Sequence, residues 1–184
     1  MNQPPQAAIH LYQRAAAFAA RRHRHQVRKD GRTPYVSHVF RVAMTVSHVF
    51  GCHDDLVIAA ALLHDTIEDT TTDYEDIESC FGTDVADMVS ALTKNMALPE
   101  PEREREYDQR LAGADWRVWL IKLADTYDNF SDALDTAEER SSLGDHLNKC
   151  LRAISLARRD ADAREVIRRA AELTEQLIAP YRRG

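Results

Sequence analysis

Between Leu56 and Leu63 every side chain is apolar, and the run then ends abruptly in His64-Asp65-Thr66-Ile67-Glu68-Asp69-Thr70. Read as a helix over about 54–69, this segment has no polar stripe to turn toward water, so it belongs at the centre of a bundle with other helices around it. Its end carries four metal-type or acid/base side chains within six residues. On a continuous helix, His64 and Glu68 are i,i+4 neighbours, and so are Asp65 and Asp69. A His-Asp doublet in a helix is ordinarily a solvated cap. Here it follows Ala-Ala-Ala-Leu-Leu, where ionisable groups cost several kcal/mol unless they are paired or hold a metal. An imidazole beside a carboxylate suits a divalent transition metal, and Glu68 and Asp69, one turn further on, are placed to handle the protons of an attacking water.

The rest of the chain reads as helices built to enclose that element. Helical spacing predicts a first helix over about 6–26, with Ile9, Tyr12, Ala16, Ala19 and Ala20 on one face. A turn follows at Lys29-Asp30-Gly31-Arg32-Thr33-Pro34. A second helix, about 35–50, carries Val39, Val42, Val46 and Phe50 in one stripe and stops at Gly51. Thr72-Asp73-Tyr74-Glu75 has a capping-box pattern opening a short helix that ends near Phe81-Gly82, and Thr83 caps another running to about Lys94. Residues 95–106 are polar, hold Pro99 and Pro101, and read as a mobile connection, although the alternating acids and arginines of Glu100 to Glu106 also suit a solvated helix start. Trp116 to Asn129 contains strand-favouring Val118, Leu120 and Ile121, but no second strand-like segment exists to pair with it, so it too reads as helix. Two amphipathic helices fill about 144–158 and 161–179. The expected fold class is all-α, one domain over residues 1–184, with a core at about 10–135.

At 184 residues the chain is long enough to bury a sizeable core, and six glycines and six prolines do not suggest disorder. Met1-Asn2-Gln3-Pro4-Pro5 lacks a charged-then-apolar leader and no run of membrane-spanning length exists, so a soluble, cytoplasmic protein is expected. Cys52, Cys80 and Cys150 are odd in number and show no Cys-x-x-Cys spacing; they read as buried small hydrophobes. The net charge of −6 argues against DNA or RNA as partners. Against that background Arg21, Arg22, Arg24, Arg28, Lys29 and Arg32 form a local cationic patch opposed only by Asp30, which suits either a small anionic ligand or a solvated basic helix end.

Candidate metal ligands come from three helices: His38 at the start of the second, His64 and Asp65 from the third, and Asp125 after the apolar run Trp119 to Ala124. Two imidazoles and two carboxylates leave positions open for water and substrate, as a catalytic metal requires. Asn129 lies i+4 from Asp125, where it can hydrogen-bond a ligand or orient the carboxylate. His48, His53, His10 and His146 have no such company in the sequence.

Taken in order, Arg28-Lys29-Asp30-Gly31, Pro34-Tyr35, His38, Val42-Ala43, Ala60-Ala61-Leu62-Leu63-His64-Asp65, Glu68-Asp69-Thr70, Phe81-Gly82, Leu92-Thr93-Lys94 and Ile121-Lys122-Leu123-Ala124-Asp125 resemble the HD-domain hydrolases of the alarmone (p)ppGpp, the hydrolase half of the Rel/Spo family and its small stand-alone relatives. The resemblance covers about residues 10–135 and, with no synthetase segment following, is to the small hydrolase-only type. It implies a helical HD fold and a single divalent ion, typically Mn2+, held by His38, His64, Asp65 and Asp125. It further implies that Glu68 and Asp69 position and deprotonate water, that Arg28 and Lys29 meet phosphates or base, and that Asn129 lines the nucleotide pocket. The implied reaction removes pyrophosphate from the ribose 3′ position of a nucleotide, leaving GDP or GTP. The family usually writes Ala-Asp-Arg-x-His-Asn where this chain has Ala124-Asp125-Thr126-Tyr127-Asp128-Asn129, and Val39 stands where Pro is common. Arg140 and Lys149 are candidates for further phosphate-binding cations. The change at 128 predicts that Asp128→His raises ppGpp turnover. Other readings of the same residues are a phosphohydrolase for an adenine alarmone or a nucleoside monophosphate, a non-catalytic nucleotide-binding module, and a helical interaction protein.

Overall fold

A computed structural model describes residues 10–182, apart from the side chains of residues 137–139. The helices are α1 (Leu11–Arg22), α2 (Val36–Met44), α3 (Asp55–Leu63), α4 (Thr66–Asp69), α5 (Tyr74–Phe81), α6 (Thr83–Leu92), α7 (Glu100–Ala112), α8 (Trp116–Asp135), α9 (Leu143–Ala157) and α10 (Glu165–Ile178), with a π turn over Thr45–Val49 continuing α2. Among the described residues there is no strand; the only sheet-like pairing is a single bridge between Val27 and Pro34. The all-α expectation holds.

α3 is the central element. It packs against α1, α2, α6 and α8, and Val57, Ala59, Ala60, Ala61 and Leu63 are fully buried. Three consecutive alanines present almost no bulk, so neighbouring helices close in on it from every side. α8 packs beside α2, α3 and α6. Asp115 caps it by accepting from the Arg117 amide at 2.9 Å, and the buried Trp119 indole donates to the Leu111 carbonyl at 2.7 Å. Burial of Val118, Leu120, Ile121 and Leu123 decides for helix over strand, since these β-favouring residues all find packing partners within the bundle. α9 packs on α8, and α10 on both. The stripe Val39, Val42, Val46 and Phe50 is buried as expected, and the turn after it uses Gly51 at φ 82.

Several expected boundaries shift, each for a local reason. The first helix ends at Arg22, short of residue 26, because the His23 and Gln26 backbones form a turn that leads into the Val27–Pro34 bridge; its expected start at residues 6–9, including Ile9, lies outside the described residues, as do residues 1–5. α5 is capped by Asp73, whose carboxylate accepts from the Asp76 amide at 2.8 Å, while the Thr72 hydroxyl bonds Thr70 instead. Thr83 is the first residue of α6, and Gly82, at φ 88, occupies the cap. The connection expected over 95–106 is shorter: α7 begins at Glu100, with Pro99 as its cap and Pro101 in its first turn, where a missing amide costs nothing. Cys52 and Cys150 are buried and all three cysteines are free.

Most consequential, the central helix is not continuous over 54–69. It ends at Leu63, and a fresh turn begins at Thr66. The His64 ring bonds the Ala61 carbonyl at 2.8 Å and the Thr66 hydroxyl bonds the Leu63 carbonyl at 2.6 Å. Side chains thus take acceptors that backbone amides of the next turn would have used.

Candidate metal centre and active-site cavity

The break at residues 64–65 corrects the ladder picture. His64 closes α3 and Asp65 opens α4, so the doublet sits at a corner and both side chains are free to aim at one point. His38, from the first turn of α2, meets them there: one atom from each of His38, His64 and Asp65 lies within 4.8 Å of the other two. His38 Nε2 is 3.5 Å from Asp65 Oδ2, and His64 Nε2 is 3.1 Å from the same oxygen. Asp125, midway along α8, closes the fourth side, with Oδ1 3.4 Å from His38 Nε2 and 3.8 Å from His64 Nε2.

These residues fit a divalent ion. Ligand atoms about 2.1 Å from a metal stand roughly 3.0 Å apart at right angles and roughly 3.4 Å at tetrahedral angles, close to the spacings found. The remaining ring nitrogens are engaged elsewhere, His64 Nδ1 with the Ala61 carbonyl and His38 Nδ1 with Asp128 at 2.7 Å. That leaves both Nε2 atoms facing inward, and His64 Nε2 is buried and makes no aligned hydrogen bond, although Asp65 Oδ2 stands 3.1 Å away. A buried imidazole nitrogen that makes no hydrogen bond is costly unless something else meets it. The carboxylates are also held: the Tyr35 hydroxyl donates to Asp65 Oδ2 at 2.6 Å, Asn129 Nδ2 donates to Asp125 Oδ1 at 2.6 Å, and Lys122 Nζ lies 2.9 Å from Asp125 Oδ2.

Burial works against the charged forms of Asp65 and Asp125, yet His64 and His38 beside the first, and Lys122 and the same imidazoles beside the second, keep both carboxyls well below the usual range. Glu68 and Asp69 behave in the opposite way. Burial pushes both carboxyls up, and the negative charge of Asp65 adds to the effect in each. Glu68 is fixed by the Lys94 amide, which donates to its Oε2 at 2.7 Å. Two carboxylates thus stay ionised at the centre while two raised ones stand beside it, a division of labour suited to a base that must take up a proton.

The centre opens on a cavity of about 230 Å³. Asp65, Glu68, Asp69 and Asp125 line it together with Lys94, Lys122, Lys149 and Arg152. Burial, followed by the neighbouring charges of Lys122 and Lys94, lowers the Lys149 ammonium below its ordinary value, so the cluster gains from a bound anion.

Of the residues singled out in the sequence, His38, His64, Asp65 and Asp125 converge, and Glu68, Asp69 and Asn129 border the same cavity. Arg28 supports Asn129 from behind, bonding its Oδ1 at 3.0 Å and pairing with Asp132 at 2.7 Å. Lys29 is exposed on the loop before Pro34, near enough for its charge to act on Lys149. Of the two further cations, Lys149 lines the cavity, whereas Arg140 is exposed and does not. Sequence reading missed His146 and Arg152, which reach the cavity from α9. Their signal was present as a spacing: His146, Lys149 and Arg152 recur every three residues along an amphipathic helix. Asp128 does not face the cavity; it turns to His38 and Arg41.

A protein from Xenopus tropicalis named guanosine-3′,5′-bis(diphosphate) 3′-pyrophosphohydrolase MESH1 is 44% identical over 119 residues, 64% of this chain and 66% of that protein. The human protein of the same name is 43% identical over 119 residues, again 64% of this chain and 66% of its own length. The chain thus spans just under two thirds of these relatives. A solved structure described as a metazoan orthologue of SpoT that hydrolyses ppGpp superposes with a TM-score of 0.78 at 30% identity, covering 98% of this chain and 99% of that one. The family described as HD domain matches residues 15–150, a span that takes in all four converging residues and the Glu68-Asp69 pair, and the chain belongs to that HD-domain family.

Proposed function

We propose that the chain is a metal-dependent (p)ppGpp 3′-pyrophosphohydrolase that releases pyrophosphate and leaves GDP or GTP, working in the cytoplasm as one HD unit with manganese as its ion. The observation that carries this reading is a four-residue centre opening on one cavity lined by two raised carboxyls and four cations. The names of the relatives point to the same reaction.

His38, His64, Asp65 and Asp125 would hold the ion, which supplies Lewis-acid polarisation of the phosphoryl group and the water. Glu68, held by the Lys94 amide, orients that water and takes its proton, and Asp69 next to it shares the negative charge of the cluster. The water oxygen bonds to the phosphorus attached to the ribose 3′ oxygen. The bond from that phosphorus to the 3′ oxygen breaks, and the 3′ oxygen leaves with the proton that Glu68 took from the water, which returns Glu68 to its ionised form. Lys94, Lys149 and Arg152 then face the negative charge that collects on the departing pyrophosphate. Asn129, braced by Arg28, fixes Asp125 and borders the nucleotide, and Lys29 adds positive charge near Lys149.

The deciding experiment incubates purified protein with ppGpp and manganese and measures GDP and pyrophosphate, with Glu68→Gln as control. Pyrophosphate release that needs manganese and is lost in the variant is the expected result. Manganese binding without release, or release of inorganic phosphate from a nucleoside monophosphate in its place, would overturn the substrate.

A further inference from the structure

We infer that Asp128 is the positioning residue for the ligand His38, and that Arg41 is built in to hold Asp128 in that task; this rests on the metal-centre reading above. The His38 ring is 1% exposed. Its Nδ1 lies 2.7 Å from Asp128 Oδ2, while its Nε2 faces Asp65 and Asp125. An ionised carboxylate can only accept, so Nδ1 carries the hydrogen and the Nε2 lone pair is left for the ion. The two imidazoles are therefore set by unlike acceptors. His64 leans on a neutral backbone carbonyl, that of Ala61, and His38 leans on a charged carboxylate.

A third buried carboxylate beside Asp65 and Asp125 needs compensation, and Arg41 provides it. Its Nε meets Asp128 Oδ1 at 2.7 Å and its Nη2 meets Asp128 Oδ2 at 2.9 Å, a two-pronged contact that fixes the plane of the carboxylate as well as balancing its charge. The same Nη2 lies 3.3 Å from Asp132 Oδ1, which in turn pairs with Arg28. The arrangement follows from helix geometry. Arg41 stands three residues after His38 on α2, and Asp128 three after Asp125 on α8, so each helix presents one ligand and one support on the same face. Neither support borders the active-site cavity, so their action on the reaction passes through His38. Replacing Asp128 by His would exchange the carboxylate that His38 donates to for an imidazole and leave Arg41 without its counter-charge, so on this proposal turnover falls, where the family pattern alone predicts a gain.

The test measures the manganese dissociation constant by calorimetry on the purified full chain, together with the melting temperature of the metal-free protein. Asp128→Ala should weaken manganese binding about 10- to 100-fold, and Asp128→Asn, which keeps an acceptor oxygen, should recover part of the loss. Arg41→Gln should weaken binding in the wild-type background and have no further effect on it in Asp128→Ala. Wild-type manganese affinity in Asp128→Ala, with or without a lowered melting temperature, overturns the proposal and reduces the pair to a structural ion pair. An equal effect of Arg41→Gln in both backgrounds overturns the part given to Arg41. Absence of divalent-ion binding by the wild-type chain overturns the metal centre and this proposal together. Absence of ppGpp hydrolysis, with the affinity losses intact, overturns only the proposed substrate.

Discussion

The Tyr35 hydroxyl donates to Asp65 Oδ2 across 2.6 Å, from the N-terminal edge of α2 to the corner between α3 and α4. Burial, and then the charges of Asp65 and Asp69, push the phenol up, so it stays protonated and keeps donating at every pH the protein meets. Asp65 Oδ2 also lies 3.5 Å from His38 Nε2 and 3.1 Å from His64 Nε2, and Tyr35 therefore sets the direction of the remaining lone pair. Tyr35→Phe should weaken manganese binding about 10-fold with the fold intact. Unchanged affinity by titration would remove Tyr35 from the support of the centre.

Glu68→Gln keeps the size of the side chain and its contact with the Lys94 amide but cannot take a proton. Turnover should fall roughly 100-fold or more while manganese still binds. Full activity in a steady-state assay would end the role of Glu68 as base.

Lys149 is a cavity-lining cation that bears the repulsion of Lys122 and Lys94. Lys149→Met should lower kcat/KM for ppGpp by about 10- to 100-fold, the value of one or two charge-assisted hydrogen bonds. Inhibition by inorganic pyrophosphate should weaken in parallel, and an unaltered inhibition constant would place the leaving group elsewhere.

Asp30 accepts from the Thr33 hydroxyl and from the amides of Arg32 and Thr33, which lowers its carboxyl from 3.8 to about 2. A carboxyl lowered by folding adds stability above its unfolded pKa and gives it up as pH falls through the folded value. The loop from Val27 to Pro34 should therefore be unaffected above pH 5 and loosen between 3.8 and about 2. The Thr33 amide resonance should report a midpoint near the lower figure; a midpoint at the ordinary value would show that the turn does not form.

Asp115 caps α8, the helix that delivers Asp125, Asp128 and Asn129. Asp115→Ala should cost about 1 kcal/mol in urea unfolding. No loss would mean that the Trp119 anchor alone fixes the start of the helix.

How far the site was legible depended on whether the signal was local. His64, Asp65, Glu68 and Asp69 lie together in the chain, and their chemistry at the end of an apolar run is readable without a fold. Asn129 was placed correctly on the face of Asp125 because helix periodicity alone determines it. Arg41 and Asp128 could not be paired in the same way. They are 87 residues apart, and nothing in either segment names the other. The partners of Asp128 lie on α2, which packs against α8 only in the folded chain.

By itself the sequence determined the helical class, the burial of the central Leu56–Leu63 run and the identity of the converging residues, since apolar periodicity and ligand chemistry are properties of short stretches. Only the tertiary structure decided that the central helix breaks at His64-Asp65, that α9 turns His146, Lys149 and Arg152 into the cavity, and that Arg41 and Asp128 brace His38. Those outcomes depend on which helix faces meet. That is settled by burying all the apolar stripes at once, a condition on the whole chain that no single segment carries.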